Sequence, residues 1–384
     1  MPDAKCQMPD SERAGKRRGV VPSVPCVPSV PFLPSRTSGR AAGLLAFLLL
    51  AATPSSAQEP APQENPVERG TCSCEDTLKP LSDPDPAVDK LLAAYNFPAD
   101  PFPWTLSLLG EGDHYRVYHV TFPSPLHFPM AEANTVHGEY FVPNPVAAGR
   151  GPALVVLHIL DERLILERTI CRFFAASGVP ALLLRMPYYG ERKPPGLSVG
   201  HVFLEDPIRV FDAMRGAAME VRRAACWLQK RPEVDPQRVS LLGISLGAIV
   251  GSLAAGIEPR IARSVLVMGG GDPAAIVWHA PETRGLRNRL TELGYTRERV
   301  TEATQGIDPL RFAKRIDRRS ILMINAAADQ TIPKANTLAL WEAMGKPEVS
   351  WYPAGHYSLS LFIPAILPQA LEFIRRPPPE PPKK

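Results

Sequence analysis

The chain has 384 residues, 45% of them hydrophobic and 21% charged, a globular balance that excludes a disordered, collagen-like or coiled-coil body and calls for a sizeable buried core. Its formal charge of +4 comes from residues 1–57; without them the two signs balance, so no global field for nucleic acid or an anionic membrane remains and neither is expected as a partner. The 44 prolines are about double the usual ~5%, and 16 of them fall in residues 1–66 and 377–384, which read as unstructured ends.

Residues 41–52, AAGLLAFLLLAA, follow Arg36 and Arg40 and precede Ser55, Ser56 and Ala57. A basic flank, a short apolar run and small residues before a cut after Ala57 form a secretory signal pattern, and the run is too short to span a bilayer. Residues 1–57 are therefore expected to be a signal peptide. The mature chain is expected to be secreted or periplasmic, with no stable membrane span. The long stretch ahead of the run leaves the true translation start open. Cys6 and Cys26 leave with the signal. The remaining Cys72, Cys74, Cys171 and Cys226 are too few for a disulfide framework, and no second Cys/His pair at ligand spacing accompanies Cys72-Ser-Cys74, so no metal is expected.

Residues 58–83, rich in Pro, Gln and Glu, read as a linker. A helix is predicted over 85–97, where Pro86 suits a first helical position and Val88, Leu91, Leu92 and Tyr95 share a face. Alternating, β-branched and aromatic stretches at 114–122 and 135–142 predict an antiparallel pair. From Pro152 onward the pattern becomes continuous apolar runs, at 153–158, 179–186, 239–245, 262–269, 320–327 and 348–353. Helical stretches at 164–176, 207–229, 246–256, 333–344 and 359–375 separate or follow them. Such runs belong to parallel strands buried on both faces. The expectation is one α/β domain over 84–376, a mostly parallel eight-stranded sheet with helices on both faces, and a disordered tail at 377–384. The long connection 272–317, with helical patches near 282–293, would cover the carboxyl ends of the strands, where open α/β sheets bind ligands, and reads as a small lid.

Gly243-Ile244-Ser245-Leu246-Gly247 is a G-x-S-x-G pattern. It joins the apolar strand ending at Leu242 directly to an Ala-rich helix beginning at Leu246. That is the strand–turn–helix in which a serine is pushed onto a strained elbow while glycines remove side chains that would clash. A serine hydroxyl needs a base, and the base an orienting acid. Asp329 follows the strand ILMINAA, and His356 follows the strand VSWYP within Ala354-Gly355-His356-Tyr357. Asp272, after Gly269-Gly270-Gly271, is the alternative acid.

The order Ser, Asp, His, each just past a strand's carboxyl end, resembles the α/β-hydrolase superfamily over residues 103–376. The Met186-Pro187-Tyr188-Tyr189-Gly190-Glu191-Arg192 loop is similar to a branch related in layout to dienelactone-hydrolase-like and acetyl-xylan-esterase-like proteins. The resemblance implies Ser245 as nucleophile, His356 as general acid/base and Asp329 as the carboxylate that holds the imidazole tautomer. It implies an oxyanion hole from the N–H of Leu246 and one from the loop after the first parallel strand. Many relatives carry His-Gly there; this chain has His158-Ile159-Leu160, which makes Leu160, or else Ile159, the candidate donor. Tyr188 and Tyr189 are candidate pocket residues. The implied reaction is hydrolysis of a small-molecule carboxylic ester through an acyl-enzyme, with no cofactor. The alternatives are a serine peptidase of prolyl-oligopeptidase type, for which the segment between Ala57 and Pro103 is too short to build a propeller, and a catalytically silent scaffold.

Two expectations concern the helices. Cys171 and Cys226 fall on helices predicted to cover opposite faces of the sheet and should not be linked. Arg209, Arg215, Arg222 and Arg223 read as a solvated helix face paired with Asp212 and Glu220.

Overall fold

In the computed structural model, which describes residues 68–74, 79–146 and 149–379, each of the six apolar runs after Pro152 becomes a strand. The expected signal peptide, residues 1–57, lies outside the described residues. Four strands are antiparallel: β1 (Glu68–Cys72), β2 (Phe102–Gly112), β3 (Tyr115–Pro123) and β4 (Thr135–Pro143). Six are parallel: β5 (Gly151–Leu157), β6 (Ala181–Leu184), β7 (Val234–Ile244), β8 (Arg263–Val267), β9 (Ile321–Ala326) and β10 (Glu348–Tyr352). They form one sheet in the order β1-β2-β3-β4-β6-β5-β7-β8-β9-β10. β4 runs antiparallel to β6, with Gly138 opposite Leu184 and Phe141 opposite Ala181.

The helices of the described residues are α1 (Pro86–Leu92), α2 (Ile165–Ala176), α3 (Val199–Glu205), α4 (Arg209–Gln229), α5 (Leu246–Ile257), α6 (Pro273–His279), α7 (Arg284–Glu292), α8 (Arg297–Thr304), α9 (Pro309–Phe312), α10 (Lys334–Ala343) and α11 (Ile363–Arg375). Alternation along β5 explains the two-faced core: Ala153, Val155 and Leu157 join the cluster that contains α4 and α5, whereas Leu154 and Val156 join the one that contains α2 and α11. Each strand residue thus buries its side chain under one layer of helices or the other. The stretch Ser358–Arg375 has the length and hydropathy of a membrane span, yet Ile366, Leu367, Ala370, Phe373 and Ile374 are buried in that second cluster.

Three expectations change. The sheet has two strands more than the eight predicted, because β1 and β2 extend its antiparallel edge. β1 lies inside the segment read as a linker, 58–83, so the folded domain begins before residue 84. Second, Cys74 forms a disulfide with Cys226 of α4, across 152 positions of sequence, and this ties the chain just past β1 to the core. The Cys72 thiol, buried and pushed up to about 11 by that burial, lies 3.7 Å from the Cys226 sulfur. Cys171 is on the opposite face and unbridged, as expected. Third, α4 is not a solvated arginine face. Glu220 and Arg222 are buried: Glu220 pairs with Arg192, Nη2 to Oε1 2.6 Å, and Arg222 with Glu258 at 3.2 Å. Arg223 lies over the Phe97 and Phe102 rings; Arg215 makes the expected near-surface pair with Asp212, while Arg209 pairs with Glu205 and Asp206 instead.

Candidate active site

Strand order reverses around β5, whose neighbours are β6 and β7, and a crevice opens outside the carboxyl ends at such a reversal. Ser245 stands there, between the last residue of β7 and the first of α5. Its backbone is strained, with φ 52° and ψ −113°, and its N–H donates to Val267 O of β8 at 2.8 Å. The strain persists because the residues two before and two after it, Gly243 and Gly247, have no room for a side chain. A Cβ on Gly243 would meet Gly247 O at 2.1 Å, and one on Gly247 would meet Leu157 O at 2.3 Å. Helix and strands approach this closely only without those side chains.

The Ser245 Oγ lies 2.9 Å from His356 Nε2, and His356 Nδ1 lies 2.8 Å from Asp329 Oδ2. The other carboxylate oxygen, Oδ1, accepts the N–H groups of Thr331 and Ile332, each at 2.9 Å. The carboxylate is thereby held in one orientation by its own loop after β9, leaving Oδ2 for the imidazole. Asp272 is elsewhere: it caps α6, accepting from Ala275 N at 3.0 Å. Of the two acids considered, Asp329 is the one against the histidine.

Leu246 opens α5, so its N–H has no acceptor within the helix and points with the helix dipole toward the site. In the loop after β5, Ile159 N–H is committed to Glu167 Oε1 at 2.9 Å, whereas the Leu160 N–H has no hydrogen-bond partner among the described residues. Of the two candidates, Leu160 is thus the one whose N–H is left over. Buried His158 braces the same loop. Its Nδ1 lies 2.7 Å from Ile159 O and its Nε2 accepts from Met186 N at 3.0 Å, which assigns the proton to Nδ1. Burial, ahead of the smaller influences, pushes the His158 imidazole down to about 4. Burial likewise raises the Glu167 carboxyl. Neither residue's bracing role was legible beforehand, because each acts through a backbone group brought close only by the fold.

A cavity of about 830 Å³ opens beside Ser245 and His356. Tyr189 lines it, stacked edge-on against His158 at 4.5 Å. Tyr188 does not: it has φ 71° and packs against Phe128 and Phe203, so the expectation of a second pocket tyrosine is corrected. The cavity wall includes residues of α6 and α7, within the insertion read as a lid. Glu282, between those helices, accepts from Thr331 Oγ1 at 2.9 Å and from the Tyr357 hydroxyl at 2.5 Å. Burial opposes its charge, but those hydrogen bonds and the nearby His356 outweigh it and lower its carboxyl. The insertion is thus pinned to the loops that carry Asp329 and His356, a contact with no signal in the sequence.

The family described as "Alpha/beta hydrolase domain containing 18" matches residues 110–274. That segment runs from β2 through the serine elbow, and its strand order is the one described above. The chain has the fold of the α/β hydrolases, and 110–274 is similar to that family's model. An uncharacterized protein of Mycobacterium tuberculosis strain ATCC 25618 / H37Rv is 29% identical over 184 residues, 47% of this chain and 42% of that protein. A thiohydrolase of Arthrinium phaeospermum is 30% identical over 165 residues, 42% of this chain and 47% of that protein. The chain matches less than half the length of these relatives. Among solved structures, an acetyl xylan esterase from Paenibacillus sp. R4 superposes with a TM-score of 0.60 at 19% identity, over 77% of this chain and 96% of the esterase. Acetyl xylan esterase 1 from Thermoanaerobacterium sp. JW/SL YS485 gives 0.57 at 20% identity, over 78% and 96%. At these identities the likeness is one of fold.

Proposed function

We propose that this α/β hydrolase cleaves carboxylic esters of small molecules through an acyl-enzyme. The observation that carries the reading is the unbroken hydrogen-bonded path from Ser245 Oγ through His356 to Asp329 at the wall of a cavity. Ser245 Oγ attacks the carbonyl carbon as His356 Nε2 takes its proton, and Asp329 holds the imidazolium by Nδ1–H. The negative oxygen of the tetrahedral intermediate is met by the N–H groups of Leu246 and Leu160. His356 returns the proton to the leaving alcohol, and a water molecule activated by the same base releases the acid. The names of the esterases of like fold, and of the thiohydrolase, are in keeping with this class of reaction.

A fluorophosphonate probe on the purified protein should label it, and Ser245→Ala should abolish labelling and ester turnover. Asp329→Asn should lower kcat by about 10⁴-fold while the fold is kept, the size of effect that a mis-set tautomer produces. A folded protein that takes no label and turns over no ester would return the reading to a silent scaffold. Cleavage of peptide amides in place of esters would transfer it to the peptidase alternative.

Export remains part of the proposal. The Cys74–Cys226 bridge supports it, since such bonds persist in oxidising compartments. N-terminal sequencing of the mature protein should begin after Ala57, and an intact Met1 on cytoplasmic protein would sink the export reading.

A further inference from the structure

The cavity beside Ser245 narrows the substrate class. At about 830 Å³ it is toward the upper end of the roughly 300–1,000 Å³ of small-molecule sites, and an acetyl group would leave most of it empty. Its wall is hydrocarbon from every side: Met214 from α4, Ile276 and Val277 from α6, Leu286 from α7, Ile363 and Leu367 from α11.

The polar side chains of the wall besides Ser245, His356 and Tyr189 are already engaged. Glu282 accepts from Thr331 and Tyr357, Thr283 Oγ1 donates to Val277 O at 2.8 Å, and Ser360 Oγ donates to Tyr357 O at 2.8 Å. The Tyr189 hydroxyl lacks a partner among the described residues and is itself buried. A sugar or other polyol entering here would lose its water and find almost nothing to replace it, which is costly for every buried hydroxyl. A hydrocarbon arm loses nothing and gains with each methylene.

Resting on the serine-hydrolase reading above, we infer that the site takes esters whose acyl arm is a medium or long hydrocarbon chain, in preference to acetyl esters or acylated sugars. Each methylene buried is worth about 0.8 kcal/mol, close to fourfold in kcat/KM at about 1.4 kcal/mol per tenfold. Even partial burial of the six methylenes that separate octanoyl from acetyl then predicts a gain of at least ~100-fold.

The test measures kcat/KM for p-nitrophenyl acetate, butyrate, octanoate and laurate, kept below their aggregation limits, on the full mature protein, together with ethyl to octyl acetates. A gain of at least ~100-fold from acetate to octanoate supports the inference. So does a several-fold fall of the octanoyl-to-acetyl ratio in Leu286→Trp, which fills the wall from the insertion. A flat or falling acyl profile overturns it while leaving the hydrolase reading intact. A rise confined to the alcohol series also overturns it, by placing the hydrocarbon arm on the leaving group. Absence of all turnover together with absence of fluorophosphonate labelling removes the hydrolase reading itself and the inference with it.

Discussion

Ser245 can present its Oγ to the cavity because the residues on either side of the elbow have no side chains. The Gly247 Cβ position is 2.3 Å from Leu157 O, so Gly247→Ala must move β5 or α5, and ester turnover should fall at least ~100-fold with a lower melting temperature. Glu167 tests the other half of the site. It touches no reacting atom; its Oε1 accepts Ile159 N–H and so aims the next residue's N–H. Loss of one oxyanion donor costs about 10²–10³ in kcat, and a loosened donor should cost less. Glu167→Ala should therefore lower kcat about 10–100-fold with little change in KM. Glu167→Gln, whose amide oxygen still accepts, should restore most of it. An equal effect of the two substitutions would mean that Glu167 acts on folding alone.

At the scale of elements, the edge strand β1 is five residues long, and four of them are at least partly exposed. Pairing with β2 and the Cys74–Cys226 bridge behind it hold it in place. Breaking a bridge that closes so long a loop costs about 2–5 kcal/mol. Cys226→Ala should lower stability by that amount in urea unfolding. Cys74→Ser should lower it less, because the Cys72 thiol is 3.7 Å from Cys226 and can replace the lost partner on oxidation. The loop after β6 has its own anchor. Arg192, wholly buried, donates to Glu220, to Arg185 O at 2.7 Å and to Ala133 O at 2.5 Å, joining that loop to α4 and to the turn before β4. Arg192→Met would strand the Glu220 carboxylate in the core, at a cost of about 3–5 kcal/mol.

For the whole molecule the buried histidines set an acid limit. Burial pushes His158 down to about 4; burial, with His119 at 3.0 Å, does the same to His137, also to about 4. A histidine whose folded value is depressed favours the neutral native form. Its contribution is fully present above the unfolded value of ~6.5 and is lost as pH falls toward 4. For His158 alone the loss is on the order of 3 kcal/mol. Urea midpoints should fall between pH 6.5 and 4, and His158→Gln, which gains no proton, should flatten that slope. An unchanged slope would mean that another group carries the acid sensitivity.

The eight strands from β3 to β10, both flanking helix layers and the elbow at Ser245 were legible in the sequence because each is local. Period-2 alternation, continuous apolar runs and a Gly-x-Ser-x-Gly turn state their geometry within a dozen residues. Asp329 and His356 were legible for the same reason, as the first polar residues past strand ends. β1 was not, since its polar residues pair only once β2 arrives from thirty positions away and a cysteine of α4 closes behind them. Glu220 and Arg222 read as surface charges because periodicity shows a helix face but not whether another buried side chain waits opposite it. The choice of Leu160 over Ile159 depended on where the Glu167 carboxylate arrives, and the exclusion of Tyr188 from the cavity on which way a strained backbone turns. The sequence by itself determined the order of elements and singled out the candidate residues Ser245, Asp329 and His356. Only the tertiary structure decided which backbone donors are left over, which charges are paired and what the cavity is lined with, because those depend on contacts between residues far apart in the chain.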